Sequence, residues 1–393
     1  MDPSEFEGYL AECRNLTLAA IREIVPRDAR SRSSLYDLIL DYPLRQAKAL
    51  RPALCIATCC ALGGRLECVL RSAAVLELYH NAFLIHDDVE DGSEQRREAP
   101  TLHCKHGIPI AVNVGDAMLA LTLQPLLDNM ATVGLGKALR ILQVIARMAR
   151  ESAEGQAIEL EWIHQARWDL GDADYVRMVY KKTSLYTFVA PTLIGGIVAN
   201  ADGRRLATLR RFASLLGVAF QIQDDILNLT AEQTTYGKEI AGDLWEGKHT
   251  LVLLHMMRTV EPGRRDRACA VLRKPRPGAP GSPKRLGASM ELGPLLAGLQ
   301  RQGELTARAA QLIEAATRVS AVETDGAVKT PADVRFLLRS IDASGSVPYA
   351  REVARRWALR ARNTLRDTAV WLSPSVHRDF LERLVGFVIE RDH

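Results

Sequence analysis

The sequence predicts an all-α protein, and three observations predict it. Apolar residues recur three and four positions apart over 67–85, 110–127, 137–164, 175–200 and 205–229. Sustained apolar/polar alternation, which would mark half-buried strands, is almost absent. Turn signals separate the periodic stretches at Gly63-Gly64, Gly92-Ser93, Gly107-Ile108-Pro109, Gly134-Leu135-Gly136 and Gly171-Asp172. Helices joined by loops this short pack as antiparallel neighbours, so the expected architecture is a bundle.

Taken in order, Pro52 is placed to open a helix at its first position, with Arg51 just before it. The 67–85 stretch runs into an acidic cluster, and 205–229 closes on a second. Between them lie 110–127, 137–164 and 175–200, all helical by period. The segment from Lys274 to Lys284 is proline- and glycine-rich and cannot hold a regular helix. A weak helical pattern returns over 289–320 and fades at 321–331. The expectation is one domain spanning 1–393 with an inserted surface segment at 275–328.

Composition narrows the function classes. The 393 residues are 47% hydrophobic and 25% charged, the balance of an ordinary globular protein, and the formal charge of +4 gives no nucleic-acid footprint. The N-terminus is acidic and carries no signal-like apolar run. Gln124 and Pro125 interrupt the apolar stretch 118–127, so no transmembrane segment is expected and the expected location is cytoplasmic. Cys55, Cys59 and Cys60, three of seven cysteines, follow an apolar helical pattern without paired spacing and are expected as buried reduced thiols.

Two acidic clusters carry the chemistry. In His86-Asp87-Asp88-Val89-Glu90-Asp91, Asp87 and Asp91 stand one turn apart on one helix face, where their oxygens can hold a hard cation. Asp88 lies about 100° away, as 3.6 residues per turn requires. Such a run alone could be a solvated helix end. The second cluster, Gln221-Ile222-Gln223-Asp224-Asp225-Ile226-Leu227-Asn228, again ends a helix in acid, where the dipole prefers cations. Two acidic helix ends are explained together if they face one cavity and bind Mg²⁺ through a bridging diphosphate. Counter-charges are at hand in Lys48, Arg51, Arg96, Arg97, Lys181, Lys182, Lys238 and Lys248. His80, Phe83, Asp87 and Asp91 share one helical stripe.

On these residues the chain resembles the trans-isoprenyl diphosphate synthases, of the geranylgeranyl diphosphate synthase type. His80 through Arg97 is similar to that family's first aspartate-rich region. Gln221 to Asn228, followed by Tyr236 to Lys248, is similar to the second region and its lysine loop. Gly155-Gln156 and Lys182-Thr183 are similar to further markers. The resemblance implies a bundle of about ten or more helices around a central cavity, a homodimer, and head-to-tail condensation of isopentenyl diphosphate with a dimethylallyl, geranyl or farnesyl diphosphate on three Mg²⁺ ions. It implies a catalytic set of Asp87, Asp88, Asp91, Asp224, Asp225 and Lys182, with Asp87, Asp91 and Asp224 on the metal. Lys48, Arg51, His80 and Arg97 would hold isopentenyl diphosphate. Arg96, Lys182, Thr183, Gln221, Lys238 and Lys248 would hold the allylic diphosphate. Phe83, Ala82 and Tyr79 would set chain length, with geranylgeranyl diphosphate the expected product.

Two positions and the 275–328 insertion depart from the pattern. Glu98 stands where the family carries glycine and could draw Arg97 off a phosphate. Asn228 replaces the last aspartate of the second cluster, where an amide oxygen could still serve Mg²⁺. A farnesyl or longer product, a catalytically silent partner subunit and a terpene cyclase are the alternatives. The cationic residues around Lys48 favour condensation over cyclisation.

Overall fold

The computed structural model describes residues 1–26, 34–230, 241–277, 299–302, 305–309, 328–368 and 370–390. Among them are seventeen α-helices, one π-helix and one two-stranded hairpin. The N-terminal half comprises α1 (Pro3–Ile24), α2 (Ser34–Leu44), α3 (Leu50–Ala61), α4 (Leu66–Asp91), β1 (Gln95–Arg96), β2 (Ala99–Pro100), α5 (Leu102–His106), α6 (Ile108–Leu121), α7 (Leu123–Val133) and α8 (Leu135–Gln165). Then come α9 (Asp172–Val179), the π-helix (Tyr180–Val189), α10 (Ala190–Val198) and α11 (Gly203–Thr230). The rest is α12 (Gly242–Glu246), α13 (Leu251–Thr259), α14 (Pro262–Leu272), α15 (Pro331–Ala343), α16 (Ser346–Arg366) and α17 (Val376–Glu390).

Local chemistry explains the helix starts. Asp2 and Glu5 cap α1 reciprocally, at 2.9 and 2.7 Å, with Pro3 in the first turn. Thr330 and Asp333 do the same for α15 ahead of Pro331. Gly92, at φ +64°, ends α4 in the left-handed region, where a missing Cβ removes the usual penalty. Packing then gathers α3, α10, the π-helix and α11 around one apolar core, with Phe188, Phe212, Leu54 and Ile194 buried inside it. A second core joins α11, α13, α15 and α16, and a third lies between α1, α2, α4 and α6. All seven cysteines are free thiols; Cys55 and Cys59 are buried as expected, and Cys60 is half-buried.

The structure corrects four expectations. The 175–200 stretch is not one α-helix, because ten of its residues wind as a π-helix. Helix α3 starts at Leu50 rather than Pro52, since Ala49 takes the left-handed φ of +46° and places Arg51 inside the first turn. The hairpin β1–β2 arises without any alternating signal, because each strand has only two residues. Finally, Leu66–Asp91 and Ile108–Val133 are long and apolar enough, by length and composition, to cross a membrane. Gln124 and Pro125 interrupt the apolar run of Ile108–Val133 without making the stretch polar as a whole. Leu66–Asp91 is largely buried in the core.

Most of the expected insertion lies outside the described residues, but its two ends are visible. The Lys329 amide donates to the Pro275 carbonyl at 2.9 Å, so the chain leaves and returns at one point. Buried Lys329 donates to the Leu244 and Trp245 carbonyls, both at 2.8 Å, at the end of α12. Arg276 pairs with Glu246 at 3.6 Å. Replacing 277–327 by a short Gly/Ser linker should therefore leave a soluble chain with unchanged helical circular dichroism and a cooperative thermal transition. Insoluble protein would show that the segment packs into the core.

Candidate active site

The two acidic helix ends open on one cavity of about 840 Å³. Its wall takes Asp87 and His80 from α4, Asp224, Asp225 and Gln221 from α11, Lys182, Thr183 and Tyr186 from the π-helix, Lys48 from the segment before α3 and Arg51 from the first turn of α3. Arg96 and Arg97 of the hairpin and Lys248 after α12 complete it. All of these but Tyr186 were expected together, and the fold brings them together, whereas Asp91, expected with them, is not on the wall. Lys238 falls within 231–240, outside the described residues.

The π-helix does much of the positioning. Wider winding presents Lys182, Thr183 and Tyr186 to the same cavity, and π-type turns of this sort recur at functional sites. It is held between two helices that approach closely at glycine. A Cβ on Gly155 of α8 would stand 2.3 Å from the Lys182 nitrogen, and one on Gly217 of α11 would stand 2.1 Å from Ser184 Oγ. The next residue, Gln156, donates to Glu90 at 2.6 Å and ties α8 to α4.

Charge in the cavity is organised by lysine bridges. Lys182 pairs with Asp87 at 3.3 Å and with Glu159 of α8. Lys248 pairs with Asp91 at 2.6 Å and Glu246 at 2.9 Å. Burial opposes charge on both lysines, yet the carboxylates around them outweigh it and keep both ammonium groups protonated. Burial also opposes charge on Asp87, but Lys182, Lys248 and Arg96 overcome it and hold the carboxyl below its usual range. Asp91 goes the other way, pushed up to about 8 by burial and by the Asp87 and Glu246 charges against the opposing Lys248. Asp225 is pushed up to about 7, first by burial; it accepts from Tyr175 Oη at 2.6 Å and Gln221 Nε2 at 2.7 Å.

Four expectations change at the level of single side chains. Asp88 does not face the cavity. It is fully buried, accepting from Tyr42 Oη at 2.6 Å and Arg96 Nε at 2.9 Å, because one residue along the helix turns it away from Asp87. Arg96 reaches the cavity wall with its guanidinium already paired to Asp88, which ties the hairpin to α4. Ala82 is fully buried in the α1–α2–α4–α6 core, on the side of α4 away from the cavity. Asn228 accepts the Asp243 N–H on its amide oxygen at 3.1 Å, so that oxygen is already engaged in fastening α12.

The cations expected at isopentenyl diphosphate form a separate group. Arg97 donates to the Tyr42 carbonyl at 2.8 Å and Asn81 Oδ1 at 3.4 Å and lies 3.5 Å from His80 Nε2. No ion pair among the described residues joins it to Glu98, so the anticipated diversion is not found. Arg51 donates to Thr187 at 2.9 Å and covers the Tyr186 ring at 4.5 Å. Lys48 stands 5.0 Å over the Phe387 ring. The buried Glu77 carboxylate lies in the field of Arg51 and Arg97, while burial pushes Arg97 down to about 10. Tyr186 lines this end, 5.9 Å from His80, and behind it, off the cavity wall, stand Phe83 at 5.6 Å and then Tyr79, 5.9 Å from Phe83. Sequence reasoning missed Tyr42, Glu77, Glu159, Tyr175 and Tyr186, which carry no spacing signal because each acts across the fold on a residue far away in sequence.

Residues 33–282 match the polyprenyl synthetase family model. The chain belongs to that family. It is 30% identical over 270 residues to a geranylgeranyl diphosphate synthase of Sulfolobus acidocaldarius, covering 69% of this chain and 79% of that one. It is 37% identical over 222 residues to an all-trans-nonaprenyl-diphosphate synthase of Rhodobacter capsulatus, covering 56% of this chain and 64% of that one. The fold of this polyprenyl synthetase superposes on the geranylgeranyl pyrophosphate synthetase of Pyrococcus horikoshii with a TM-score of 0.75 at 26% identity, over 98% of this chain and 99% of that one. The inherited fold thus spans nearly the whole chain, including helices C-terminal to the matched segment.

Proposed function

We propose that the chain is a Mg²⁺-dependent trans-prenyltransferase that condenses isopentenyl diphosphate head to tail with an allylic diphosphate and makes geranylgeranyl diphosphate. The observation that carries this reading is a single cavity whose wall brings Asp87 and Asp224, from two different helices, together with Lys48, Arg51, His80 and Arg97. The donor set suits the metal. Asp87 and Asp224 offer hard oxygens at the cavity wall, and Mg²⁺ takes one or two protein carboxylates with diphosphate and water completing its shell.

Mg²⁺, when bound, neutralises charge on the departing diphosphate, and three ions belong to the proposal. Asp87 and Asp224 would hold it from the cavity wall, with Asp91, paired to Lys248 at 2.6 Å, the third expected ligand, while Lys182 and Lys248 stay protonated and add fixed positive charge where the leaving group's charge grows. The second group of cations would orient isopentenyl diphosphate with its double bond toward the allylic carbon. Leu84, Met178, Val179, Tyr186 and Phe220 give the cavity apolar walls that keep water from the cation. The released diphosphate would accept the proton lost after carbon–carbon bond formation, so no protein base is required.

Product length follows from the aromatic wall. Phe83 supports the Tyr186 ring edge-on and is itself backed by Tyr79. Chromatography of dephosphorylated products from radiolabelled isopentenyl diphosphate should show a twenty-carbon product for the native chain and a shift to longer chains for Phe83→Ala. No Mg²⁺-dependent product from any allylic primer would overturn the proposal. An unchanged distribution with a lowered thermal midpoint would reduce Phe83 to packing.

A homodimer is part of this reading, as is a cytoplasmic location. Support for the dimer comes from large apolar side chains exposed along α6, α7 and α8: Ile108, Ile110, Leu123, Leu127, Leu135 and Leu139 are each 43–60% exposed. Such a stripe suits a second copy of the chain. Sedimentation equilibrium should return twice the 43.4 kDa chain mass, and a monomer at micromolar concentration would refute the assembly. The cytoplasmic location rests on the seven free thiols.

A further inference from the structure

We propose that Arg45 is a positioning residue for the isopentenyl diphosphate pocket, acting by holding the strained turn that carries Arg97. This rests on the pocket assignment made above. Arg97 and Glu98 are the two loop residues of the β1–β2 hairpin, since Arg96 pairs with Ala99 and Gln95 with Pro100. Both loop residues have left-handed φ, +52° and +61°, and neither is glycine. A two-residue turn of this hand strongly prefers glycine or asparagine, and strained residues persist where their surroundings over-determine them. The hairpin cannot supply that restraint alone, because its ladder is two pairs long and Pro100 has no N–H to give.

Arg45 supplies it. Its Nη1 donates to the Arg96 carbonyl at 2.8 Å and the Ala99 carbonyl at 3.5 Å, and its Nη2 donates to the Pro100 carbonyl at 2.8 Å. The guanidinium is fixed in turn. Its Nε donates to Asp41 Oδ1 at 2.6 Å, its plane covers the Tyr42 ring at 4.3 Å, and the side chain is only 8% exposed. The backbone beneath is anchored as well, because Arg14 Nη2 donates to the Leu44 and Arg45 carbonyls at 3.1 and 3.2 Å. So braced, the turn sends Arg97 to the Tyr42 carbonyl and beside His80, within the cavity, whereas Arg45 is not part of the cavity wall. Arg45 therefore acts through Arg97 and touches no substrate.

The test uses the full chain in six forms: native, Arg45→Gln, Glu98→Gly, Glu98→Gln, and the two double variants. Calorimetry with isopentenyl diphosphate alone, and separately with geranyl thiolodiphosphate, reads the two subsites, and hydrogen exchange reads the amides of 94–101. Arg45→Gln should weaken isopentenyl diphosphate about tenfold or more while the thiolodiphosphate changes less than about threefold, because bonds to a charged donor are lost at one subsite only. Exchange over 94–101 should quicken. Glu98 also borders the cavity, so either Glu98 substitution can raise affinity through charge. Only Glu98→Gly removes the strained Cβ as well, so in the Arg45→Gln background Gly should restore affinity and slow exchange more than Gln does, and by a larger factor than in the native background. Equal effects of Gly in both backgrounds, or unchanged exchange in Arg45→Gln, would overturn the proposal. If isopentenyl diphosphate binds none of the six forms, the pocket assignment fails while the exchange arm still decides the brace. Should Arg45→Gln not fold, Arg45→Lys, which keeps a cation beside Asp41 but loses the two-pronged grip, is expected to give the same pattern with smaller factors.

Discussion

Asp87→Ala and Asp224→Ala each lower turnover by about a thousandfold or more, the scale seen when a preorganised charge-stabilising group is removed. Each deletes a carboxylate from the cavity side that would face the departing diphosphate. The fold should survive both changes. Lys182 keeps Glu159 as a partner when Asp87 is gone, and Asp87 itself sits on the cavity wall rather than in an apolar core. Steady-state kinetics with circular dichroism as the fold control checks this. Either variant retaining more than about a tenth of native turnover would remove its aspartate from the metal assignment, since effects of that size are far below those of charge-stabilising groups.

Gly155→Ala has the second-largest expected effect and acts through packing. The new Cβ would meet the Lys182 nitrogen at 2.3 Å, its Cα at 2.7 Å and the Lys181 carbonyl carbon at 2.8 Å. All three are backbone atoms, which cannot swing aside as a flexible side-chain tip would. The π-helix cannot retreat either, because Gly217 of α11 already brings Ser184 into close contact on its other side. Helix α8 must therefore move off, and Lys182 and Thr183 lose their aim. Overpacking of a tight interior costs about 1–3 kcal/mol, and the backbone contact puts this case at about the upper end. Denaturant unfolding and isopentenyl incorporation should both report the loss. A variant of native stability would show that α8 and the π-helix have room for a methyl group.

The parts of this protein that were legible in its sequence are those governed by neighbours in the chain. Helical period, glycine turn signals and the i, i+4 placement of Asp87 and Asp91 need only local geometry, and helices stand at every periodic stretch among the described residues. The two acidic clusters were legible for the same reason, and the resemblance they carry marked the departure at Glu98. Its consequence was not legible. An acid beside Arg97 suggested charge competition, whereas the structure shows a backbone effect, a second left-handed residue in a tight turn.

Tertiary structure decided how each legible residue is used. The same run of aspartates sends Asp87 into the cavity and Asp88 to Tyr42 and Arg96, a division set by which helices flank α4. The partners that tune the site act from afar, with Glu159 23 residues from Lys182, Tyr175 50 from Asp225 and Arg45 51 from the Arg96 carbonyl. The π-helix belongs with them, because it is flanked by close approaches at Gly155 and Gly217, which lie 27 and 33 residues from Lys182 and Ser184. By itself, then, the amino-acid sequence determined an all-α chain with two carboxylate-bearing helix ends and a set of cations. The tertiary structure decided which carboxylates face the cavity, which lysines bridge them and how Arg97 is aimed, because charge interactions and steric exclusion depend on distance in space and only the folded chain sets those distances.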